Sequence, residues 1–255
     1  MIRRLFAWWR QHPGDRLDIP AALWNEVEAS LPFLDHLTPD ERIRLRQLAR
    51  EFIADKEWSS APGQQLSPRI QLAIALQACL LILNLDLNWY AGWVGIVVYP
   101  GDFVIPRQMI DEDGVAHEFD DEVMGEAWYN GPVLISWFEQ PEDAAGINVV
   151  IHEFAHKLDM NSGEADGMPP LHSGMSRQRW IEVMSKAFGE FQQRVNSGEE
   201  TPLDPYGAEL PSEFFAVASE AFFGSPDLLK SEYRDVYEQL RKFYGQDPLL
   251  KRVGQ

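Results

Sequence analysis

The sequence predicts an α+β fold in which a small mixed β-sheet and N-terminal helices surround one central helix. Three observations support this fold class. Apolar residues recur at helical spacing before residue 60 and again after residue 176. Short β-branched segments bounded by glycine and proline occupy the region between residues 93 and 137. The third observation is the segment 149–160, an apolar helix that contains the pattern His-Glu-x-x-His.

The composition is that of a globular protein with enough apolar side chains for a sizeable core. Of 255 residues, 45% are hydrophobic and 12% are aromatic. The formal net charge is −18 at pH 7, whereas a protein that binds a phosphate backbone needs clustered lysine and arginine. This charge balance argues against direct binding of nucleic acid.

Cysteine usage and the N-terminus both predict a cytoplasmic location. The single cysteine, Cys79, lies in an apolar stretch and cannot form an internal disulfide, which fits a reducing compartment. The apolar run after Arg4 is closed by Arg10 and is too short for a signal peptide. The apolar segment 70–85 falls short of a membrane span, so no span is predicted.

Basic and aromatic residues lie side by side at the N-terminus, where Arg3, Arg4 and Arg10 flank Trp8 and Trp9. Such a segment either contacts an anionic membrane surface or packs on the domain as a short amphipathic element. We favour the second interpretation.

Two helices are predicted between residues 20 and 56. The first runs over 20–31 and ends before a proline. The second begins at Thr38, which forms a capping box with Glu41 and is followed by proline at the first helical position. This second helix is expected to end near Lys56.

A loop rich in glycine and proline is predicted over 59–65. Ser67, followed by proline, then starts the helix that carries Cys79. We divide the chain at the loop into an N-terminal helical region, residues 1–65, and a larger domain, residues 66–255, packed together as one unit.

The region between residues 93 and 137 predicts short strands joined by turns. Asn130 and Gly131 form the dipeptide typical of a tight hairpin turn. The predicted pieces are a buried strand at 93–99, an extended segment at 103–105, a turn at 111–114, and a hairpin that joins 125–129 to 133–137.

The segment 149–160 carries the chemistry. A helix brings His152 and His156 onto one face, about 6 Å apart along the axis, so both imidazoles can bind one ion. Zinc suits neutral imidazole, and a catalytic zinc takes three protein ligands and a water whose pKa it lowers to about 7. Glu153 is placed to take the proton of that water, as in a metallopeptidase.

The residues around this helix have less specific signals. The strand 133–137 directly precedes it and is either an edge that a peptide substrate extends or an ordinary core strand. A loop over 161–174 contains His172, which we expect to be solvated rather than a ligand. A long helix follows from Ser176, and a last helix is predicted from Leu228 to its end at Gly245.

Two histidines do not complete a catalytic zinc site, so another ligand must come from elsewhere in the chain. Asp159 follows on the same helical stripe, but its short side chain suits orienting a histidine ring better than binding the metal. Glu213 and Glu220 lie seven residues apart on one face of a strongly apolar helix, where buried carboxylates need a partner. From the residues alone, either glutamate is a candidate ligand.

The residues from His152 to Asp159, with Tyr206 and the Glu-Phe-Phe-Ala sequence that begins at Glu213, resemble the Mlc titration factor A family of zinc metallopeptidases. They are also similar to the catalytic domain of anthrax lethal factor. The resemblance implies a gluzincin site with one Zn2+ per chain. It implies His152, His156 and Glu213 as ligands, Glu153 as general base, and Tyr206 as the phenol that stabilises the oxyanion. Lys157 departs from the uncharged residue common after the second histidine.

The overall prediction is a zincin-like catalytic domain that hydrolyses peptides through a zinc-activated water, with Glu153 as the base. The resemblance further implies aminopeptidase-type activity, binding of the transcriptional repressor Mlc, and an effect on glucose phosphotransferase expression. The alternative is a non-catalytic repressor-binding protein whose zinc is structural. Structural zinc is normally closed by four protein ligands, and the candidates here favour catalysis.

Overall fold

The computed structural model describes residues 18–110, 116–138 and 147–250, without the side chains of 107–110 and 116–119. The N-terminal Arg and Trp segment and the predicted turn at 111–114 lie outside the described residues. The described chain mixes helices with a small mixed sheet, which confirms the α+β class.

The N-terminal helices begin and end close to the predicted positions. They are α1 (Ala21–Ala29), α2 (Pro39–Asp55) and α3 (Pro68–Leu81), with a 3-10 turn at Pro32–Leu34 between the first two. The capping box is confirmed, because Thr38 Oγ1 accepts the Glu41 N–H at 3.3 Å and Glu41 Oε2 accepts the Thr38 N–H at 2.8 Å. Ser67 caps α3 by accepting the Ile70 N–H at 3.2 Å.

In the described part of the chain four strands form the sheet, in the order β1-β2-β6-β5. They are β1 (Glu57–Ser60), β2 (Gly95–Tyr99), β5 (Gly125–Ala127) and β6 (Val133–Ser136). The pairs β1–β2 and β2–β6 are parallel, and β5–β6 is antiparallel. A separate antiparallel hairpin, β3 (Phe103–Ile110) with β4 (Ala116–Val123), precedes β5 and is longer than the predicted extended segment 103–105.

Two sequence-based expectations for the sheet need correction, and one open alternative is decided. The predicted loop 59–65 begins too early, because Ser59 and Ser60 belong to β1, a polar edge strand stabilised by pairing with β2 rather than by its own propensity. Of the two alternatives for the strand 133–137, the structure supports the ordinary core strand, since β6 pairs with β2 and β5 on its two sides. β2 is only alternately buried, at Ile96 and Val98. The division of the chain at residue 65 stays a prediction.

The motif helix α4 (Val149–Asp159) lies at the centre of the fold, and all 11 of its residues are buried. Phe154 packs its ring against Phe52, Tyr90 and Trp93, with centroid distances of 5.6, 5.2 and 5.9 Å. The aromatic cluster therefore fixes the rotation of α4 about its axis, with the motif side chains on the opposite side from the N-terminal helices.

The C-terminal part adds the helices α5 (Arg177–Asn196), α6 (Pro211–Gly224), α7 (Pro226–Glu232) and α8 (Arg234–Tyr244). The prediction of one last helix is wrong, because the backbone leaves the helical conformation at Tyr233, with φ −131° and ψ 65°. Tyr233 packs between Phe191 and Phe214, and this contact turns the chain. Gly245 ends α8 with φ 61°, as predicted. No helix in the described ranges is long and apolar enough to cross a membrane.

Candidate metal centre

The two motif histidines point at one place. His152 and His156 lie one turn apart on α4, both are 7% exposed, and their Nε2 atoms are 3.1 Å apart. The helix sets this geometry locally, because residues at i and i+4 share a face. Two ring nitrogens at this distance cannot both direct lone pairs at each other, so the pair requires a cation or a proton between them.

Glu213 completes a group of three at the same place. It lies in the first turn of α6, and its Oε2 is 3.0 Å from Nε2 of His152 and 3.2 Å from Nε2 of His156. The three candidate ligand atoms all lie within 4.8 Å of one another. Of the two glutamates left open by the sequence, the structure thus brings Glu213 to the shared side of both imidazoles.

The electrostatics of the group favour a bound cation. Burial alone would lower the pKa of His152, but hydrogen bonds with Glu213 and Glu220 raise it well above its usual value. Burial alone would raise the pKa of Glu213, but its hydrogen bonds with His152 and His156 lower it to about 2. A buried carboxylate that stabilises protonated imidazoles can stabilise a metal ion among them as well, and a His, His, Glu donor set suits zinc.

Glu220 holds His152 from the far side of the ring. Its Oε1 lies 2.7 Å from Nδ1 of His152, and its Oε2 accepts the Asn148 N–H at 2.7 Å. A hydrogen bond at Nδ1 places the proton on that atom and leaves the Nε2 lone pair free for a metal. On α6, Glu220 therefore orients His152, and Glu213 in the first turn supplies the candidate ligand carboxylate.

Asn148 and Gln77 complete this support, and the sequence-based reasoning missed both. Asn148 caps α4, since its Oδ1 accepts the Ile151 N–H at 3.0 Å, and its Nδ2 donates to Gln77 Oε1 at 2.9 Å. An asparagine directly before an apolar helical run is a signal for a helix cap, so Asn148 was detectable. Gln77 lies on α3 and had no local signal.

Asp159 does not orient a histidine ring, contrary to the expectation. Its Oδ2 accepts the Gly167 N–H at 2.7 Å, and burial raises the pKa of its carboxyl group to about 6. Gly167 has φ 80°, and a Cβ there would lie 2.6 Å from the Pro211 carbonyl oxygen. Asp159 therefore holds a loop against the start of α6.

Glu153 lies beside the metal group with an unused carboxylate oxygen. It is 5% exposed, and its Oε2 has no hydrogen-bond partner among the described residues. Burial raises its pKa to about 6. Strand β5 approaches it closely, because a Cβ on Gly125 would lie 2.5 Å from Glu153 Oε1. The sequence-based reasoning missed Gly125, although a glycine within a short strand often marks such an approach.

Tyr206 stands at the rim of the site, on the 3-10 turn Pro205–Ala208. Its ring centroid is 6.0 Å from that of His152, and 47% of the residue is exposed. Burial of the hydroxyl and the charge of Glu213 raise its pKa, so the phenol keeps its proton at neutral pH. His172 is remote from this group and lies with Nε2 2.9 Å from the carbonyl oxygen of Lys242.

These side chains open into a cavity of about 580 Å3. Its wall runs along the end of β4 and the whole of β5, and then crosses to the 3-10 turn that carries Tyr206. Five carboxylates lie in the wall outside the metal group, namely Asp121, Glu122, Glu126, Asp204 and Glu209. The cavity is thus large enough for a few residues of a peptide, and part of its wall is acidic.

The family comparison and the ligand set agree on the class of the protein, which is that of the metallopeptidases. The family model described as glucose-regulated metallo-peptidase M90 matches residues 5–245. The chain belongs to this family.

Relatives in the family match nearly the whole chain. A Mlc titration factor A from Escherichia fergusonii is 33% identical over 248 residues, which cover 96% of this chain and 92% of its own length. Proteins of the same name from Klebsiella pneumoniae and Yersinia pestis are 34% identical over 232 residues and 33% identical over 235 residues. These two matches cover 89% and 90% of this chain, and 87% and 86% of the relatives. The resemblance to the titration factor family is confirmed.

Proposed function

We propose that the protein is a zinc-dependent peptidase of the gluzincin type, with a zincin-like arrangement of the sheet and α4. The observation that carries the proposal is the convergence of His152, His156 and Glu213 beside the buried Glu153, whose Oε2 has no hydrogen-bond partner among the described residues. A structural zinc would call for a fourth protein ligand, and the group found among the described residues has three. With three protein ligands, the zinc would keep one coordination position open for water or substrate.

The residues divide the hydrolysis of a peptide bond among them. A zinc ion held by the two histidines and Glu213 would supply Lewis acidity to the scissile carbonyl and the attacking water. Glu153 takes a proton from the water and returns it to the leaving amine, a role that suits a carboxylate with a pKa near 6. Tyr206 donates a hydrogen bond from its hydroxyl to the oxygen that becomes negative in the transition state, and it keeps its proton.

Strand β5 is the proposed binding edge for the peptide. It ends the sheet, with β6 on one side, and it forms the wall of the cavity next to Glu153. An extended peptide can pair with such an edge through main-chain hydrogen bonds. β5 thereby takes the role that the sequence had left open for the strand 133–137.

The acidic wall of the cavity supports aminopeptidase-type activity. A free peptide N-terminus carries a positive charge at neutral pH, and the carboxylates of Glu122, Asp204 and Glu209 line the cavity that would receive it. An acetylated N-terminus lacks that charge. The same wall disfavours acidic substrates.

Hydrolysis of amino-acid and peptide chromogenic amides, each with a free and an acetylated N-terminus, tests the function. We expect one zinc per chain, and activity that a chelator abolishes and zinc restores. Free amines should be preferred by about tenfold or more, the range for a hydrogen bond to a charged group. Equal cleavage of acetylated substrates would exclude the aminopeptidase type, and bound zinc without any cleavage would favour the non-catalytic alternative.

Replacing Tyr206 by phenylalanine should lower kcat by about 10- to 100-fold, because one hydrogen bond to the oxyanion is lost. Zinc content and thermal stability should not change, since the hydroxyl is at the rim of the site. Tyr129→Phe is the matched control, because Tyr129 is also about half exposed, at 52%, and does not line the cavity. An unchanged kcat in Tyr206→Phe would remove Tyr206 from the mechanism.

A second proposed role is binding of the transcriptional repressor Mlc in the cytoplasm, with an effect on glucose phosphotransferase expression. The observation in its favour is the name Mlc titration factor A, which the relatives carry over most of the chain. This role is compatible with catalysis. If the protein has no catalytic activity, repressor binding becomes its main role and the zinc is structural.

A further inference from the structure

Lys157 is a buried lysine directly after the second motif histidine. It is 3% exposed, and its Nζ donates to the Trp128 carbonyl oxygen at 2.6 Å and to the Gly131 carbonyl oxygen at 2.8 Å. The ammonium group also lies 4.6 Å from the centre of the Trp93 ring. A lysine with this little exposure needs such partners, since an unpaired buried charge is unfavourable. The charge of Lys157 is therefore stabilised by two carbonyl oxygens and one aromatic ring.

Both carbonyl groups belong to the turn that joins β5 to β6. The turn is closed by its own hydrogen bonds, from the Gly131 N–H to the Trp128 carbonyl at 2.9 Å and from the Trp128 N–H to the Pro132 carbonyl at 3.1 Å. Lys157 adds two charge-assisted bonds from α4 to this turn. These bonds attach the end of β5 to the helix that carries the motif.

The other end of β5 lies against the general base. Gly125 approaches Glu153 so closely that a side chain there would overlap with its carboxylate, as described above. Because β5 has only three residues, Gly125–Ala127, a displacement of its turn moves the whole strand. The position of the substrate-binding edge relative to Glu153 therefore depends on the contacts of Lys157.

We propose that Lys157 is a positioning residue, which sets the distance between the edge strand β5 and the motif helix and thereby aligns a bound peptide with Glu153. It touches neither the metal group nor the cavity wall and acts through the turn. The kinetic part rests on the proposed peptidase function, and the structural part does not.

Lys56 is a matched control within the same cluster. It is 5% exposed, its Nζ lies 4.2 Å from the centre of the same Trp93 ring, and it donates to the Tyr90 and Trp93 carbonyl oxygens at 2.6 and 2.9 Å. Its hydrogen bonds do not include the β5–β6 turn. Removing Lys56 therefore removes a buried ammonium group from the core without releasing the edge strand.

The experiment compares Lys157→Met with Lys56→Met by hydrogen–deuterium exchange of the zinc-loaded protein. In Lys157→Met, amide exchange in the segment 125–136 should rise by about tenfold or more, because two hydrogen bonds from a charged group are lost. Exchange there should stay as in the wild type in Lys56→Met, and zinc content should be unchanged in both. Lys157→Arg, which can donate to both carbonyls, should restore most of the protection.

The kinetic readout is the ratio kcat/KM for a peptide amide, which should fall by about tenfold or more in Lys157→Met and recover in Lys157→Arg. Unchanged exchange in Lys157→Met, or the same rise in Lys56→Met, would overturn the proposal. If Lys157→Met does not fold, the milder Lys157→Gln replaces it in the same comparison. If the wild type hydrolyses nothing, the exchange result still decides the positioning role, while the peptidase function alone fails.

Discussion

Glu153→Gln should retain its zinc and its fold while kcat falls by about 10²- to 10⁴-fold, the usual contribution of a general base. Glutamine keeps the shape that fits against Gly125 but cannot accept a proton. The measurement is kcat with the best amide substrate, together with zinc content and thermal midpoint of the purified variant. Loss of turnover with both properties intact assigns Glu153 to the chemical step.

The control for this variant is Glu209→Gln. Glu209 also lines the cavity, where it is one of the carboxylates proposed to receive the free amine, and it has no hydrogen bond to either imidazole. Its removal should therefore raise KM for free-amine substrates and leave kcat close to that of the wild type. A Glu153→Gln protein with wild-type turnover would contradict the mechanism outright. Equal losses in both variants would mean that the charge of the cavity, rather than proton transfer, is what the reaction needs.

Glu213→Ala should weaken zinc binding more than about a hundredfold, since loss of a supporting partner alone typically weakens it 10- to 100-fold. The carboxylate lies within 3.2 Å of both Nε2 atoms, and alanine leaves no donor in its place. The dissociation constant for zinc is measured by competition with a chromogenic chelator. Activity should be lost in parallel with zinc.

Glu220→Ala is the informative comparison for this second variant. Because Glu220 contacts Nδ1 of His152, its removal should weaken zinc binding by about 10- to 100-fold, less than the loss of a ligand. If Glu213→Ala instead binds zinc as tightly as the wild type and Glu220→Ala does not, then the two glutamates have exchanged roles. Their positions on one face of α6 explain why the sequence left both candidates open.

Features that depend on neighbouring residues were predictable from the sequence. The capping box at Thr38, the cap at Ser67 and the helix end at Gly245 all follow from side-chain and backbone geometry within a few residues. Asn130 has φ 52°, as expected for the residue before glycine in a tight turn. The relative position of His152 and His156 was predictable for the same reason, because one helical turn defines it.

Features that depend on distant partners were not predictable. The polar sequence of β1 has no strand signal, and it becomes a strand because it pairs with β2, with residue 57 opposite residue 95. The order of β5 and β6 in the sheet, the break at Tyr233, and the support of His152 by Gln77 through Asn148 also depend on tertiary contacts. The resemblance to a known family supplied the preference for Glu213, which local chemistry did not.

The distance in sequence between the parts of the metal centre has a consequence for synthesis of the protein. Glu213 follows His156 by 57 residues, and Glu220 follows His152 by 68. A chain still emerging from the ribosome therefore exposes both histidines and the base long before the third ligand and its support are made. Under the proposed mechanism the site is complete only when α6 docks on α4, so an unfinished chain would not cleave itself or its neighbours.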